Sequence, residues 1–364
     1  MKVVVKVKNL LKAVNICSRL VNNRNSLEVL GNILIETDKN ILKLSSTNLD
    51  LAITTQLGAK VEKEGKISIP ARLFNELINS ISEETLQLIS DNDKLTVKGQ
   101  NIHSRLNGVA ASEFPTLPTL KNTTSITLNS NEIKTLIEKS LISVSLDESR
   151  PVLAGVYFNI EDGRITLAAT DSYRLTEVNS KISIKDKINC IIPARTLVEI
   201  QRLISIEESN DIKLKISESE ASFTIGDSEL ITQLTEGKYP DYKKIIPENS
   251  KTTIEASKSK LQEAVKISTV FARESSHSVS LTIKNKELII NAQTSEVGEN
   301  TINLDIKKTG SDAEISINAK YLNDILGVIS AEKVFIELND KLDPMVVKSG
   351  SDNKEIYIIM PLRS

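Results

Sequence analysis

The sequence predicts an α+β chain built from three tandem copies of one domain, and three recurring features predict it. The first is a strand that runs into a threonine and a turn, I-T-L-A-A-T-D-S-Y-R-L at Ile165–Leu175. Fainter copies are L-K-L-S-S-T-N-L-D-L at Leu42–Leu51 and L-I-I-N-A-Q-T-S-E-V at Leu288–Val297. The second is I-P-A-R at Ile69–Arg72 and Ile192–Arg195, with I-N-A-K at Ile317–Lys320, each opening a helical pattern. The third is E-F-P from Glu113, K-Y-P from Lys238 and I-M-P from Ile359. Thr47, Thr170 and Thr294 stand 123 and 124 residues apart (47 to 170, 170 to 294), inside the usual range of ~100–150 residues for a domain. The expected domains are 1–121, 122–249 and 250–364.

Each repeat reads as strand, helix, strands, then the same again. In the first, Val3–Val7 alternates like a strand, and Asn9 is placed to cap a helix over L-L-K-A-V-N-I-C-S-R-L-V, whose apolar residues recur every three or four positions. Two strands follow around the polar turn Asp38-Lys39-Asn40, then a helix after Pro70, then strands around Asp91-Asn92-Asp93. Pro70 and Pro193 suit a first helical turn, where a missing N–H costs nothing. In the second repeat, Asn131-Glu132 leads into I-K-T-L-I-E-K-S-L-I-S-V, and Leu153–Ile160 and Ile165–Thr170 flank the turn Glu161-Asp162-Gly163. I-K-L-K-I-S and S-F-T-I-G alternate cleanly, as half-buried antiparallel strands do. The third repeat places its helices at Lys258–Phe271 and Lys320–Ile329 and ends in the strand E-I-Y-I-I-M.

A chain of 364 residues, 40% hydrophobic and 26% charged, is long enough for two or three cores. Lys6, Lys8 and Lys12 interrupt any apolar run near the start, and no apolar stretch approaches the ~20 residues that span a bilayer. Cys17 and Cys190 lie far apart with no C-x-x-C spacing, which argues against a disulfide framework or a zinc site. The reading is a cytoplasmic protein. Its net charge of −2 is unevenly spread: Val5–Arg24 carries Lys6, Lys8, Lys12, Arg19 and Arg24 with no acid, and Ser257–Arg273 carries four basic residues against Glu263. Both are first-helix segments. Basic helices gathered on one surface of an acidic protein suit a polyanion; the alternative is a solvated helix face.

The residues carry no catalytic set. The two histidines, His103 and His277, lie away from the repeated features, and neither a phosphate loop nor a G-x-G-x-x-G fingerprint occurs. Asp171 follows a strand, but its counterparts Asn48 and Ser295 are not acidic, so it reads as an Asx-turn residue. The tyrosines are more telling. Tyr173, Tyr239, Tyr242, Tyr321 and Tyr357 all fall at repeated features of the second and third repeats. With Leu153, Leu175, Ile245, Pro344, Met345, Met360, Pro361 and Leu362 they suit an apolar groove with polar tips, as a peptide site requires. Core packing is the competing role, above all for Tyr157 and Leu153.

Four segments, D-E-S-R-P-V-L-A-G-V-Y-F, A-A-T-D-S-Y-R-L, G-K-Y-P-D-Y-K-K-I-I-P and Y-I-I-M-P-L-R, resemble the bacterial DNA polymerase III beta-subunit family, the sliding clamps, over the whole chain. The resemblance implies three DNA-clamp domains per chain and a head-to-tail homodimeric ring, with helices lining a central hole and antiparallel sheets outside. It implies a non-catalytic processivity factor without cofactors. Its partners would be double-stranded DNA held without sequence preference, the replicative polymerase alpha subunit, the clamp loader and other proteins bearing a clamp-binding motif. The implied peptide groove comprises Leu153, Thr170, Ser172, Tyr173, Arg174, Leu175, Pro240, Lys244, Ile245, Asn318, Tyr321, Met345, Ile358, Met360, Pro361, Leu362 and Arg363. Ser172 stands where glycine is common, and Lys244 where arginine is. Arg24 and Arg72 match DNA-facing positions, while Arg150-Pro151-Val152 lacks the aromatics of some relatives. Val270 and Phe271 match an apolar pair that meets Leu106 of the other chain, with Ser104 in place of a larger apolar residue. A nuclease using Asp171 and a peptide-binding scaffold without DNA are the rival functions.

Overall fold

The computed structural model describes residues 1–21, 27–273, 276–294, 298–350 and 354–362. They form two compact units: Met1–Ile133 with Val198–Leu234, and Lys134–Leu197 with Thr235–Ser364. Among the described residues six α-helices follow in chain order: α1 (Val7–Cys17), α2 (Ala71–Asn79), α3 (Ser130–Leu141), α4 (Ala194–Glu207), α5 (Lys258–Phe271) and α6 (Ala319–Val328).

The first unit holds two antiparallel sheets. One has five strands in the order Lys60–Lys63, Lys2–Lys6, Thr85–Asp91, Lys94–Lys98, His103–Asn107. The other has eight: Thr124–Asn129, Asp211–Ile216, Glu220–Ile225, Ser228–Gln233, Leu51–Gly58, Ile41–Thr47, Asn32–Asp38, Lys66–Pro70. In the eight-stranded sheet a first-repeat strand, Leu51–Gly58, pairs with a second-repeat strand, Ser228–Gln233, with Leu230 opposite Ile53.

The second unit repeats this device. Its nine-stranded sheet runs Ile188–Pro193, Gly155–Glu161, Arg164–Thr170, Arg174–Lys181, Glu355–Ile359, Met345–Lys348, Lys333–Leu338, Thr252–Ser257, Lys307–Gly310. Arg174–Lys181 of the second repeat pairs with Glu355–Ile359 of the third, Thr176 opposite Tyr357. A four-stranded sheet, Gly298–Asp305, Glu287–Thr294, Ser278–Lys284, Ala313–Asn318, completes the unit. The core here gathers Leu261 and Val265 of α5, Leu322 and Ile325 of α6, and inward strand residues such as Leu281, Ile290 and Ile336. Burying each such side chain stabilises by about 1.5–3 kcal/mol.

Several local expectations need correction. α1 begins at Val7, not after Asn9, because the strand Lys2–Lys6 turns directly into it; Val7 N–H donates to Glu84 O (2.9 Å), so no side-chain cap is required. Pro70 and Pro193 are the last residues of strands, not first helical residues. Both strands lie at sheet edges, where a residue without N–H is tolerated. Strand pairing also shifts the third threonine. Asn32 faces Pro70, Gly155 faces Pro193 and Ser278 faces Asn318, each just before a second helix. Counting through the next hairpin, Leu34 faces Ser45, Tyr157 faces Ala168 and Ser280 faces Asn291. The counterparts are therefore Thr47, Thr170 and Gln293, a constant 123 residues apart (47 to 170, 170 to 293). The turns read around Lys39, Asn92 and Asp162 are present, each of these residues having φ near +50°.

Candidate peptide groove and nucleic-acid face

The turn after Thr170 is built by its own side chains. Thr170 Oγ1 donates to Arg174 O (2.7 Å) and accepts from Ser172 N–H (3.1 Å). Asp171 Oδ1 accepts from Tyr173 and Arg174 N–H (both 2.9 Å), the Asx turn its sequence predicts. That use of the carboxylate leaves it a structural group. The first repeat carries the same turn: Thr47 Oγ1 donates to Leu51 O (3.0 Å), and Asn48 Oδ1 accepts from Asp50 and Leu51 N–H (3.2 and 2.9 Å). Leu49 and Ser172, at equivalent positions, both hold φ +80°, where glycine is normally required. A glycine at position 172 would adopt this conformation without that cost.

Arg174 ties this turn to α6. Its Nε donates to Asp171 Oδ2 (3.0 Å), its Nη1 to Asp324 Oδ2 (2.7 Å), and the guanidinium lies 4.5 Å above the Tyr321 ring. The C-terminal segment closes the other side. Met360 N–H donates to Tyr173 O and Leu362 N–H to Ser316 O, both at 2.8 Å. Between turn, α6 and this segment opens a cleft of about 610 Å³ lined by Ser172, Tyr173, Ser276, Asn318, Tyr321, Met360, Pro361 and Leu362. Asn318 caps α6 by accepting from Lys320 N–H, and its Nδ2 donates to Ser276 O. Tyr173 is 62% exposed at the rim.

The remaining groove residues divide by depth. Leu175, Met345, Ile358 and Thr170 are buried, and Leu153 is half-buried; Pro240, Lys244 and Ile245 are exposed on the segment after Tyr239. Arg363 lies outside the described residues. Three tyrosines expected at the groove surface belong instead to the interior. Tyr239 and Tyr242 are buried, stacking with Tyr157 at centroid distances of 5.4 and 6.0 Å, and Tyr357 is fully buried. Their hydroxyls find partners, which is what lets them sink: Tyr242 donates to Glu177 Oε2 (2.6 Å), and Tyr239 accepts from Thr170 N–H (3.1 Å). Burial first, then Glu177, holds the Tyr242 phenol above its ordinary range.

Sequence reasoning missed Asp324 and Ser276. Asp324 falls one helical turn after Tyr321, so the i, i+3 spacing was a usable signal; Ser276 had none. A larger hollow lies around Glu255, Lys258, Lys307 and Lys333. There Lys333 and Lys307 share Glu255 (2.7 and 3.5 Å), and no predicted site residue lines it.

Comparison with known proteins decides the family. Models of the DNA polymerase III beta subunit match in order: the N-terminal domain at 1–118, the central domain at 127–241 and the C-terminal domain at 243–363. The chain belongs to the DNA polymerase III beta-subunit family. The beta sliding clamp of Chlamydia muridarum is 29% identical over 98% of this chain and 96% of its own length; that of a Synechocystis strain is 27% identical over 100% and 99%. Among solved structures, the Bartonella birtlesii sliding clamp bound to griselimycin is 26% identical with a TM-score of 0.94, each chain fully covered. The Pseudomonas aeruginosa DNA polymerase III subunit beta has the same fold at 24% identity and a TM-score of 0.95, again with full coverage.

The other positions singled out in the sequence are differently placed. Arg24 lies outside the described residues. Arg72 is exposed on α2 and pairs with Glu76 (2.9 Å). Lys8 on α1 and Arg19, two residues past its end, are exposed. Lys12 is not free, since its Nζ meets the buried Glu207 carboxylate at 2.7 Å. Arg150 is also engaged, by Asp147, Ser145 and Ser172. Val270 is 57% exposed and Phe271 half-buried, but Leu106 is only 4% exposed. Leu106 points into its own unit, opposite Leu95, and so offers little side-chain surface to another chain. No described helix is long and apolar enough to cross a membrane.

Proposed function

We propose that this protein is a sliding clamp, a non-catalytic processivity factor that encircles duplex DNA and tethers the replicative polymerase. The observation that carries this reading is the ordered match of three beta-subunit domains along the whole chain. The domains are 1–121, 122–249 and 250–364, and two chains close head to tail. DNA then stays bound because it is threaded, so contacts to phosphate need only be loose. Lys8, Arg19 and Arg72 face the duplex.

The Ser172–Tyr321–Leu362 cleft receives an extended peptide from the polymerase alpha subunit, the clamp loader or other clamp-binding proteins. Its apolar rings and the adjoining exposed Ile245 favour a segment with aliphatic or aromatic anchors. Tethering raises the polymerase's effective concentration at the primer end, which lengthens each synthetic run. Opening and loading the ring falls to a separate ATP-driven loader. The site of action is the bacterial cytoplasm.

The test is retention on nicked circular plasmid after loading, before and after linearisation in moderate salt. Protein that remains on the circle and leaves the cut molecule supports encirclement. Equal loss from both, with a loader proven on a control clamp, overturns it. Cleavage of the plasmid by metal-supplemented protein would instead favour an enzyme.

A further inference from the structure

The five-stranded sheet of the first repeat turns a basic face to solvent. Val3, Val5, Leu88, Val97 and Leu106 are its buried side, so strand alternation sends Lys2 and Lys6 the other way. Pairing sets Lys63 opposite Lys2 and Lys60 opposite Val4, on that same outward face. Lys98 stands opposite Gln87, Lys94 opposite Asp91 and Arg105 opposite Thr96, and these point outward too. The acids that share the face are Glu62 and Asp91, and Glu62 is taken up by Lys2 (2.7 Å). Lys6, Lys60, Lys63, Lys94, Lys98 and Arg105 are exposed and make no ion pair among the described residues. We infer that this face is a docking surface for single-stranded nucleic acid, held by its phosphates without regard to sequence. The inference goes beyond the clamp reading and does not depend on it, since it uses a sheet face and none of Lys8, Arg19 and Arg72.

The fold itself does not demand this charge, because the counterpart faces of the other repeats lack it. Lys2–Lys6, Thr124–Asn129 and Thr252–Ser257 each precede the first helix of a repeat and pair with the strand that follows its second helix. On the second-repeat face Lys213 and Lys215 stand among Asp211, Glu220 and Glu229. On the third, Lys333 and Lys307 share Glu255 (2.7 and 3.5 Å), and Lys348 pairs with Glu337 (2.9 Å). The same sheet is thus built twice with its bases balanced or matched, and once with them unmatched. Like charges set directly opposite, as Lys2 and Lys63 are, destabilise a sheet. A ligand that neutralises the face removes that cost.

The side chains select the ligand. Protein interfaces are depleted in lysine and organised around buried aromatic or aliphatic anchors. Here every base but Arg105 is a lysine, the apolar side chains on the face are the half-buried Val4 and Ile89, and none of the five strands carries Phe, Tyr or Trp. Lysines without anchors suit a phosphate backbone, whose neutralisation releases counterions and gives affinity at any sequence. With no ring for a base to stack on, the hold is electrostatic alone and falls steeply with salt. The bases also span the sheet. Lys60 and Arg105 lie on its two outermost strands, roughly 19 Å apart at the usual strand spacing. A stiff duplex touches a twisted sheet along a narrow line, whereas a flexible single strand follows it from edge to edge.

Fluorescence anisotropy of a labelled oligothymidylate, titrated with the full-length chain across a salt series, tests this. Wild type is expected to bind at low salt, its log affinity falling with log salt by about 0.7 for each phosphate neutralised. Lys60→Gln with Lys63→Gln, and separately Lys94→Gln with Lys98→Gln, should each weaken binding at least about tenfold at low salt and make the slope shallower by about 1.4. Lys213→Gln with Lys215→Gln takes the same charge from the second-repeat face and should change neither. All these positions are exposed, and unchanged thermal melts show that each variant is folded. No binding by wild type, wild-type affinity in both first-repeat variants, or an equal loss in the Lys213–Lys215 variant overturns the inference. So does a duplex or poly-glutamate that binds more tightly than oligothymidylate and is weakened by the same variants, since the face then serves another partner. Retention on nicked plasmid keeps the two readings apart. First-repeat variants that lose the oligonucleotide but keep the plasmid support a separate face, and variants that lose both overturn it. A wild-type chain that binds the oligonucleotide at this face yet fails plasmid retention upholds the face and sinks the clamp reading.

Discussion

Arg174 reaches from a second-repeat turn to Asp324 on a third-repeat helix, Nη1 to Oδ2, at 2.7 Å. The pair is mostly shielded, the side chains being 13% and 29% exposed, and Asp171 brings a second carboxylate to the same guanidinium. With both carboxylates taken up, Arg174 positions the cleft walls more than it attracts a charged peptide. Asp324→Asn should therefore cost about 1–2 kcal/mol, since a charged acceptor becomes a neutral one. Arg174→Ala should cost more, about 2–4 kcal/mol, by leaving two carboxylates and the Tyr321 face unpartnered. Urea unfolding measures both. A clamp-binding peptide should bind Asp324→Asn more weakly by fluorescence anisotropy, with little change in salt dependence. Undiminished affinity would show that the tie does not shape the cleft.

Ser172 and Leu49 pay a backbone cost that glycine would not, both at φ +80°. Ser172→Gly and Leu49→Gly are each expected to stabilise by about 0.5–1 kcal/mol. Ser172 gives up only an exposed hydrogen bond from Arg150 (3.2 Å), which is worth little in water. Ser172→Val should destabilise instead, because a β-branched side chain is poorly accommodated at positive φ. Thermal melts of the three variants rank them, and a Ser172→Val protein as stable as Ser172→Gly would refute the strain.

How much of this was written in the sequence depended on range. The Thr170 turn was legible because its hydrogen bonds span two to four residues, and the repeats because strand pairing preserves spacing. The third threonine was misplaced by one, since register is set by partners far along the chain and residue type alone cannot count it. The same limit applies to charge. Lys12 reads as part of a basic run, yet its partner Glu207 lies 195 residues away and sits 2% exposed, also accepting from Ser228 Oγ (2.6 Å). Nor does a tyrosine announce its depth; Tyr242 was free to sink because Glu177 accepts the hydrogen bond from its hydroxyl.

Alkaline instability should expose these buried groups. Burial pushes the Cys17 and Cys190 thiols up to about 12 from an ordinary 9.0. Burial likewise raises the Tyr239, Tyr242 and Tyr357 phenols above their usual 10.0, with Glu177 and Glu355 adding to the last two. The folded chain keeps protons that the unfolded chain releases, so stability falls as pH rises. It should be fully present below about pH 9, fall first through the thiols and then more steeply above about pH 10 as the phenols join. Urea midpoints from pH 8 to 11 check this. Tyr357→Phe should flatten the fall above pH 10 and Cys17→Ala the part just above 9; an unchanged slope in both would refute the assignment.

Arg72 separates DNA affinity from stability. Its partner Glu76 is one helical turn away, and the two side chains are 76% and 62% exposed. Such a pair contributes only about 0.3–0.5 kcal/mol, offset by the entropy of holding two long side chains together. Arg72→Ala should therefore leave the melting temperature within about 1–2 °C. On nicked plasmid, though, it should leave faster, with a salt slope about 0.9 shallower if one phosphate contact is lost. Glu76→Gln should do the reverse, freeing the guanidinium and removing a like charge from the duplex, so that retention outlasts wild type as salt rises. If both variants slide off at the wild-type rate across the salt series, Arg72 does not face the duplex, and the burden passes to Lys8 on α1 and Arg19 just past it.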